Sequence, residues 1–248
     1  MLLENKNAIV YGAAGPIGSA VARAFAQNGA RVFLAGRTLA TLEEVADGIR
    51  EQGGKAEVAR VDALDKASVD AHADSVAAAA GSIDVSFNAV GFPVVQNVPL
   101  TEISVDDFLS PITSLCRTHF LTATAAARQM AEQGAGVIIT LSASSAKETR
   151  HEMGGFSLAN AAIEALTRAL AGEYGRRGVR VVGMRSNFTP QTYPAAPDEM
   201  VAVLVKDTLL GRLPLLAEHA ATAVYLASAG AGAMSGAMVN LTCGSIID

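Results

Sequence analysis

The amino-acid sequence predicts a single α/β domain in which helices cover both faces of one parallel β-sheet. Short apolar runs alternate with longer stretches of helical periodicity along the chain, and strands separated by helices form βαβ units. No internal repeat and no linker divides the 248 residues, of which 50% are hydrophobic. One α/β domain readily reaches that length, and such a composition supports a large core.

The first half of the chain is predicted to hold four strands and three helices. Apolar runs predict strands at 8–11, 31–35, 56–61 and 83–87. Apolar side chains with helical spacing predict helices at 17–28, 39–52 and 66–79. Thr38 is a predicted N-cap of the second helix, and Gly29 and Gly53 are predicted to end the first and second.

The second half is predicted to add strands at 136–141, 179–184 and 237–241, and helices at 105–133, 155–176 and 217–227. Ser104, followed by Asp107, is a predicted N-cap of the long helix, whereas Pro111 is expected to kink that helix or delay its start. We interpret the proline-containing segment 185–198 as a lid-like loop over a substrate. An ordinary surface loop is the alternative.

Composition and charge exclude several functional classes. The net charge is −5 and no basic stripe is present, so nucleic acid is not an expected partner. No apolar segment is long enough to span a bilayer, and none near the N-terminus is typical of a signal peptide. Cys116 and Cys243 lack metal-ligand spacing, so we expect two reduced thiols in a cytoplasmic protein without a metal site.

A glycine-rich turn follows the first predicted strand. Gly12, Gly15 and Gly18 stand in the segment YGAAGPIG, where Pro16 and Ile17 open a predicted helix. Glycines let the backbone turn sharply and approach phosphates closely, and the helix N-terminus offers unpaired N–H groups. The sequence therefore predicts a Rossmann-like, doubly wound sheet whose first turn binds the pyrophosphate of a dinucleotide.

Later strand ends complete the predicted dinucleotide site. Arg37 follows the second strand, where the adenosine ribose is expected and where an acidic residue would repel a 2′-phosphate. Its guanidinium favours NADP(H) over NAD(H), although Arg37 beginning a solvated helix is the alternative. The remaining predicted cofactor contacts follow the third and fourth strands and are Asp62, Ala63, Asn88, Ala89 and Gly91.

These motifs together resemble the short-chain dehydrogenase/reductase family. The resemblance rests on the glycine turn, on Asp62, and on the segments NAVG at 88–91, NAAIEALT at 160–167 and SGAMVNL at 235–241. It covers nearly the whole chain and implies an oxidoreductase that acts on a small molecule with a nicotinamide cofactor. It also implies a homodimer or homotetramer that pairs through the fourth and fifth helices.

The resemblance further implies four catalytic residues that this chain lacks. The family's tyrosine, lysine, serine and asparagine positions are occupied by Phe156, Asn160, Ala143 and Leu115, and its Pro-Gly pair after the sixth strand by Ser186-Asn187. A phenyl ring cannot transfer a proton, and a neutral amide supplies no positive charge to stabilise a phenolate. Asn160 is still expected to hydrogen-bond the cofactor ribose. The family's usual mechanism is therefore not expected here.

Other polar groups are candidates for contact with a substrate. Ser142 or Ser144 is expected to face a substrate carbonyl. His151 is a possible proton source, with a solvated charged loop as the alternative, and Tyr193 is a further possible donor. His119 is expected at a subunit contact or on the surface. An apolar pocket, with ordinary core packing as the alternative, is expected to be lined by Phe92, Pro93, Val94, Val95, Met153, Phe156, Phe188 and Tyr193.

Two functional hypotheses follow. The first is an NADP(H)-dependent oxidoreductase with an atypical active site, acting on an apolar carbonyl or enoyl substrate. The alternative is a catalytically inactive homologue that binds NADP(H) as a structural or sensing ligand. A partner subunit without a nucleotide is a third, weaker hypothesis. The fold and the glycine turn do not separate the first two hypotheses, because function belongs to the site and not to the fold.

Overall fold

Within residues 1–148 and 151–248, which this computed structural model describes, seven parallel strands form one sheet in the order β3-β2-β1-β4-β5-β6-β7. The strands are β1 (Asn7–Tyr11), β2 (Arg31–Gly36), β3 (Lys55–Arg60), β4 (Val85–Asn88), β5 (Gly136–Ala143), β6 (Val179–Ser186) and β7 (Met238–Leu241). The strand order reverses between β1 and β4, and open α/β sheets form their binding crevice at such a point.

Helices cover both faces of this sheet. They are α1 (Pro16–Gln27), α2 (Leu39–Arg50), α3 (Lys66–Ala80), α4 (Val105–Gln133), α5 (Gly155–Tyr174), α6 (Asp198–Lys206) and α7 (Leu216–Ala227). Successive β1 side chains alternate between the two cores: Val10 packs with residues of α1, α2 and α7, and Ile9 with residues of α3, α4 and α5. The predicted Rossmann-like, doubly wound architecture is confirmed.

The segment interpreted as a lid differs from a simple loop. Strand β6 continues to Ser186, a 3₁₀ turn follows at Pro190–Thr192, and α6 begins at Asp198. The sequence analysis did not predict α6, a nine-residue helix that buries no residue, although Met200, Val203 and Leu204 have the i, i+3, i+4 spacing of one helix face. The segment nevertheless lies at the carboxyl end of β6, where the lid was expected.

The predicted helix boundaries are only partly correct. Ser104 caps α4 by accepting the Asp107 N–H at 3.1 Å, as predicted. Thr38 occupies the predicted N-cap position of α2, although its side chain makes no capping hydrogen bond. Pro111 lies inside α4, which already begins at Val105, so the proline does not delay the helix.

Candidate functional site

Two adjoining cavities open at the carboxyl ends of the strands. The smaller, which we call the glycine-turn cavity, has a volume of about 360 Å³ and is bordered by the loops after β1, β2, β3 and β4. The larger, which we call the apolar cavity, has a volume of about 650 Å³ and extends between the loops after β4, β5 and β6. Pro16 and residues 89–92 line both cavities, so the two form one continuous crevice.

The three glycines of the turn have different physical roles. Gly12 has a φ of +72°, and a Cβ there would lie 2.7 Å from the carbonyl oxygen of Ala89. A Cβ on Gly18 would lie 2.3 Å from the Gly12 carbonyl oxygen. Gly15 has only that same oxygen near its Cβ position, at 3.3 Å, and it lines the glycine-turn cavity. Gly12 and Gly18 thus hold the turn closed, while Gly15 leaves space for a ligand.

The N-terminus of α1 provides donors at this space. The helix begins at Pro16, has no side-chain cap and carries no acidic residue in its first turn. Its first N–H groups, those of Ile17 and Gly18, precede any intrahelical acceptor. Ile17 lines the apolar cavity, whereas Gly18 lines neither cavity and acts through close packing. The glycine turn and this helix N-terminus, which together we call the phosphate cradle, therefore fit a phosphate-bearing group such as a dinucleotide pyrophosphate.

The predicted ribose and adenine contacts lie along the glycine-turn cavity. Arg37 is exposed on its wall and makes no hydrogen bond or ion pair with residues 1–148 or 151–248. Asp62 is exposed on the same wall, where its carboxylate accepts the Leu64 N–H at 3.0 Å. Ala63 is buried beside it. This end of the crevice offers one cation that has no protein partner in the described chain.

The turn after β4 is fixed by a buried amide. Asn88 donates from Nδ2 to Thr122 Oγ1 at 2.8 Å and accepts the Val90 N–H at 2.9 Å. These bonds shape the backbone at Ala89 and Gly91, which line both cavities. Gly91 has no atom within 4 Å of its Cβ position, so the crevice is open at this point.

The apolar cavity contains part of the predicted pocket. The structure places Phe92, Val94, Met153, Phe156 and Phe188 on its wall, but not Pro93, Val95 or Tyr193. Tyr193 is 53% exposed, so the structure does not support its role as a proton donor in this cavity. Sequence reasoning missed the contributions of α6, which are Met200, Val203 and Leu204.

Leu115, Ala143, Phe156 and Asn160, the four residues that the resemblance aligns with the family's catalytic positions, all line the apolar cavity. The amide of Asn160 is engaged within the chain: Nδ2 donates to the Phe156 carbonyl at 2.8 Å and to Ser145 Oγ at 3.2 Å. Its Oδ1 accepts the Ala143 N–H at 2.8 Å. Because both amide protons are used, a ribose hydroxyl here would have to donate to Oδ1.

The two candidate serines differ in their partners. Ser142 is buried and donates to Glu164 Oε1 at 3.0 Å. That carboxylate is paired with the buried Arg185, whose Nε lies 2.7 Å from the same oxygen. Ser144 donates to Asn187 Oδ1 at 3.3 Å. The Ser142 hydroxyl is therefore held in an ion-pair network, which leaves Ser144 better suited to contact a substrate.

Two histidines also line the apolar cavity. His119 is 2% exposed, so its expected place on the surface or at a subunit contact is wrong. Its Nδ1 lies 3.0 Å from the Leu115 carbonyl, and burial lowers its pKa to about 4. His151 Nε2 lies 3.0 Å from Asp207 Oδ2, so His151 is not simply part of a solvated loop. Its neighbour Arg150 lies outside the described residues.

No group of three or more potential metal ligands occurs in the described part of the chain, and no helix there is long and apolar enough to cross a membrane. The two cysteines, Cys116 and Cys243, are free thiols.

Comparison with known proteins shows extensive similarity. A family model described as enoyl-(acyl carrier protein) reductase matches residues 12–245. The uncharacterized oxidoreductase YxbG of Bacillus subtilis (strain 168) is 35% identical over 239 residues, which covers 91% of this chain and 85% of that protein.

Solved structures are similar over a comparable length. A gluconate 5-dehydrogenase from Burkholderia cenocepacia J2315, in complex with NADP and tartrate, is 25% identical with a TM-score of 0.89, covering 98% of this chain and 96% of that one. A 7α-hydroxysteroid dehydrogenase, complexed with NADH and 7-oxo glycochenodeoxycholic acid, is 26% identical with a TM-score of 0.89, covering 99% and 96%.

Proposed function

We propose, from the premise that the chain belongs to the short-chain dehydrogenase/reductase family of oxidoreductases, that it binds NADP(H) and acts on an apolar carbonyl or enoyl substrate at an atypical active site. The observation that carries this proposal is the continuous crevice, in which a phosphate cradle adjoins a larger apolar cavity. A cofactor in the glycine-turn cavity would extend past residues 89–92 into the apolar cavity.

The cofactor half of the proposal rests on named contacts. The turn at Gly12–Gly18 and the α1 N-terminus would hold the pyrophosphate, and Asp62 would face the adenine. When bound, the nicotinamide accepts or supplies a hydride. The similar structures contain NADP in one case and NADH in another, so the family does not decide between the two. Arg37 supports NADP(H), because its exposed guanidinium suits a 2′-phosphate.

The atypical site is supported by what the cavity wall presents. Phe156 and Asn160 place a phenyl ring and an engaged amide where the family has a phenol and an ammonium. Ser144 remains as a hydroxyl beside the cavity. Transfer of a hydride to a conjugated enone or enoyl group is compatible with this wall, because water or a serine hydroxyl can supply the later proton.

The substrate is proposed to be apolar because the cavity wall is. Phe92, Met153 and Phe188, together with the α6 side chains, are among the apolar residues that line it. An aliphatic or polycyclic molecule would bury its surface there, with a few polar groups fixing its orientation. The ligand in the similar 7α-hydroxysteroid dehydrogenase structure, 7-oxo glycochenodeoxycholic acid, belongs to that chemical range.

The first test measures cofactor binding through thermal stability. A ligand that binds only the native state raises the melting temperature, so NADPH should raise it more than NADH at equal concentration. Arg37→Ala should remove most of this difference, whereas Arg168→Ala, at an exposed position on α5, should not. Equal shifts from the two nucleotides would contradict the role of Arg37, and no shift from either would contradict cofactor binding.

The second candidate function is a non-catalytic NADP(H)-binding homologue, which the loss of the phenol and the ammonium favours. A panel of ketones and enones with NADPH, and of secondary alcohols with NADP⁺, separates the two candidates by nicotinamide absorbance. Turnover of an apolar member supports the oxidoreductase. Nucleotide binding without turnover of any member supports the non-catalytic homologue. We also infer that the chain forms a homodimer or homotetramer through α4 and α5.

A further inference from the structure

The register of β5 and β6 places Ser186, which has no role so far, beside the position at which the family has a serine. Ala143, at the family's serine position, pairs directly with Ser186 on β6. Neighbouring strands lie about 4.8 Å apart, so Ser186 carries a hydroxyl one strand away from the place where the family carries its own. Ser186 is 5% exposed, and the surface it retains lines the apolar cavity.

A buried histidine lies directly behind this hydroxyl. His219, on α7, is fully buried, and its Nε2 lies 2.5 Å from Ser186 Oγ. Its Nδ1 lies 2.8 Å from the carbonyl oxygen of Leu215. A carbonyl oxygen only accepts, so Nδ1 carries the imidazole proton and Nε2 is left as an acceptor. The histidine is thereby fixed in the tautomer that can take a proton from Ser186.

The Ser186 hydroxyl also retains capacity for a ligand. The carbonyl oxygen of Asn187 lies 2.8 Å from Ser186 Oγ and is a second acceptor for the hydroxyl proton. Both acceptors compete for one proton, so the lone pairs of Oγ remain available to a donor in the cavity. Ser142 and His119, which also line the cavity, do not form such a pair. The Ser142 hydroxyl donates to Glu164, and the described side-chain hydrogen bond of His119 is to a backbone carbonyl and not to a hydroxyl.

We propose that Ser186 and His219 form a proton relay in which Ser186 Oγ contacts the substrate oxygen and His219 Nε2 takes the proton of a secondary alcohol. This inference rests on the proposed function and extends it to the oxidative direction. The geometry is that of a hydroxyl with an adjacent base, the base being oriented by a third group.

The proton and electron balance of the step is as follows. The substrate O–H bond and the carbinol C–H bond break, and a C=O bond forms. The substrate proton passes to Ser186 Oγ while the Ser186 proton passes to His219 Nε2. The hydride, with its electron pair, goes to the oxidised nicotinamide that the proposed function supplies. After product leaves, the imidazolium returns its proton through Ser186 to water in the cavity.

The surroundings of His219 favour its role as an acceptor. Burial lowers its pKa, against smaller opposing effects of the Leu215 carbonyl and the neighbouring Glu218 carboxylate. Glu218 is itself paired with Arg212 at 2.6 Å, which offsets its charge. The imidazole is therefore unprotonated at neutral pH. Oxidation should slow as the pH falls through this lowered pKa, because protonation removes the acceptor.

Variants test the relay in alcohol oxidation with saturating NADP⁺. Ser186→Ala should lower kcat about 100-fold or more, and Ser186→Thr, which retains a hydroxyl, should stay within about ten-fold of wild type. His219→Gln can keep both hydrogen bonds but cannot take the proton, so it should lower kcat similarly and abolish the acidic limb of the pH profile. Ser228→Ala is the matched control, because Ser228 is as buried as Ser186 but lines neither cavity, and it should change kcat less than about two-fold.

Spectroscopy makes the test independent of turnover. In protein labelled with ¹⁵N-histidine, cyclohexanol should shift the His219 Nε2 resonance in wild type and Ser228→Ala, but not in Ser186→Ala. A wild-type resonance that does not respond overturns the relay. If the wild type is active and Ser186→Ala has an undiminished kcat, the relay is also overturned, while the proposed function stays intact. Failure of every alcohol and carbonyl to react overturns the proposed function, and the resonance then decides whether Ser186 is reachable.

Discussion

Single residues at the glycine turn separate folding from binding. The Cβ of Gly18→Ala would meet a backbone oxygen at 2.3 Å, and backbone cannot move aside as a flexible side chain can. We expect Gly18→Ala to lower the free energy of unfolding by about 1–3 kcal/mol. Gly15 has a φ of −74°, which alanine adopts freely, and its Cβ would meet the same oxygen only at 3.3 Å.

Gly15→Ala is therefore the matched comparison. It should cost less than about 1 kcal/mol of unfolding free energy, yet reduce the rise in melting temperature caused by NADPH, because the added methyl group occupies the phosphate cradle. Urea unfolding measures the first quantity and thermal melting with nucleotide the second. An unchanged NADPH shift in Gly15→Ala would show that this position does not face the cofactor.

At the same scale, the sequence reveals residues whose role depends on local chain geometry. Gly12, Gly15 and Arg37 are recognisable because a turn, a helix start or a strand end lies beside them in sequence. Ser186 and His219 are 33 positions apart and Ser142 and Glu164 are 22 apart. These pairs meet only through the packing of helices on strands, so no local pattern could predict their hydrogen bonds.

At the scale of whole elements, the helices α4 and α5 present unsatisfied apolar surface. Phe120 on α4 is 52% exposed and Leu158 on α5 is 50% exposed. We expect these helices to pair between copies, with sedimentation equilibrium showing a dimer or tetramer at micromolar concentration. Phe120→Glu combined with Leu158→Glu should shift the protein to monomer, because burying two carboxylates in an apolar contact is unfavourable.

Leu39→Glu is the control for this prediction. Leu39 begins α2 and is 46% exposed, so it presents a comparable side chain on a different helix. It should leave the oligomeric state unchanged. A wild-type protein that sediments as a monomer would remove the inferred pairing, whatever the variants do.

Elements also show why the fold was easier to predict than the site. Strands β1 and β5 are buried apolar runs, and the predicted ranges fall within one or two residues of their observed ends. Helix α6 has only nine residues, none of which is buried, so its apolar face does not belong to the core. Yet α6 contributes Met200, Val203 and Leu204 to the apolar cavity. The part of the site built on a helix that the core does not require was therefore missing from the sequence-based prediction.

At the scale of the whole molecule, polar groups follow the same rule in the crevice and in the core. Polar groups that the two helical layers enclose are neutral or paired: Arg185 with Glu164, Ser186 with His219, and His72 among apolar neighbours near Tyr11. The buried histidines link folding stability to pH, because burial disfavours the charged form of the imidazole. The stability of this protein is therefore expected to fall as the pH drops below 6.5, the ordinary pKa of histidine.

The pH dependence of stability tests this link. Burial lowers the pKa of His72 and of His119 to about 4, against an ordinary value of 6.5. Between these two values the unfolded chain binds more protons than the folded protein, so stability rises with pH and is lost as the pH falls. Each histidine should cost on the order of 2 kcal/mol of unfolding free energy between pH 7 and pH 4.5. His72→Leu removes one such group and should reduce the measured loss by about that amount in urea titrations at the two pH values. Parallel losses in wild type and His72→Leu would show that His72 is protonated in the folded protein or exposed to solvent.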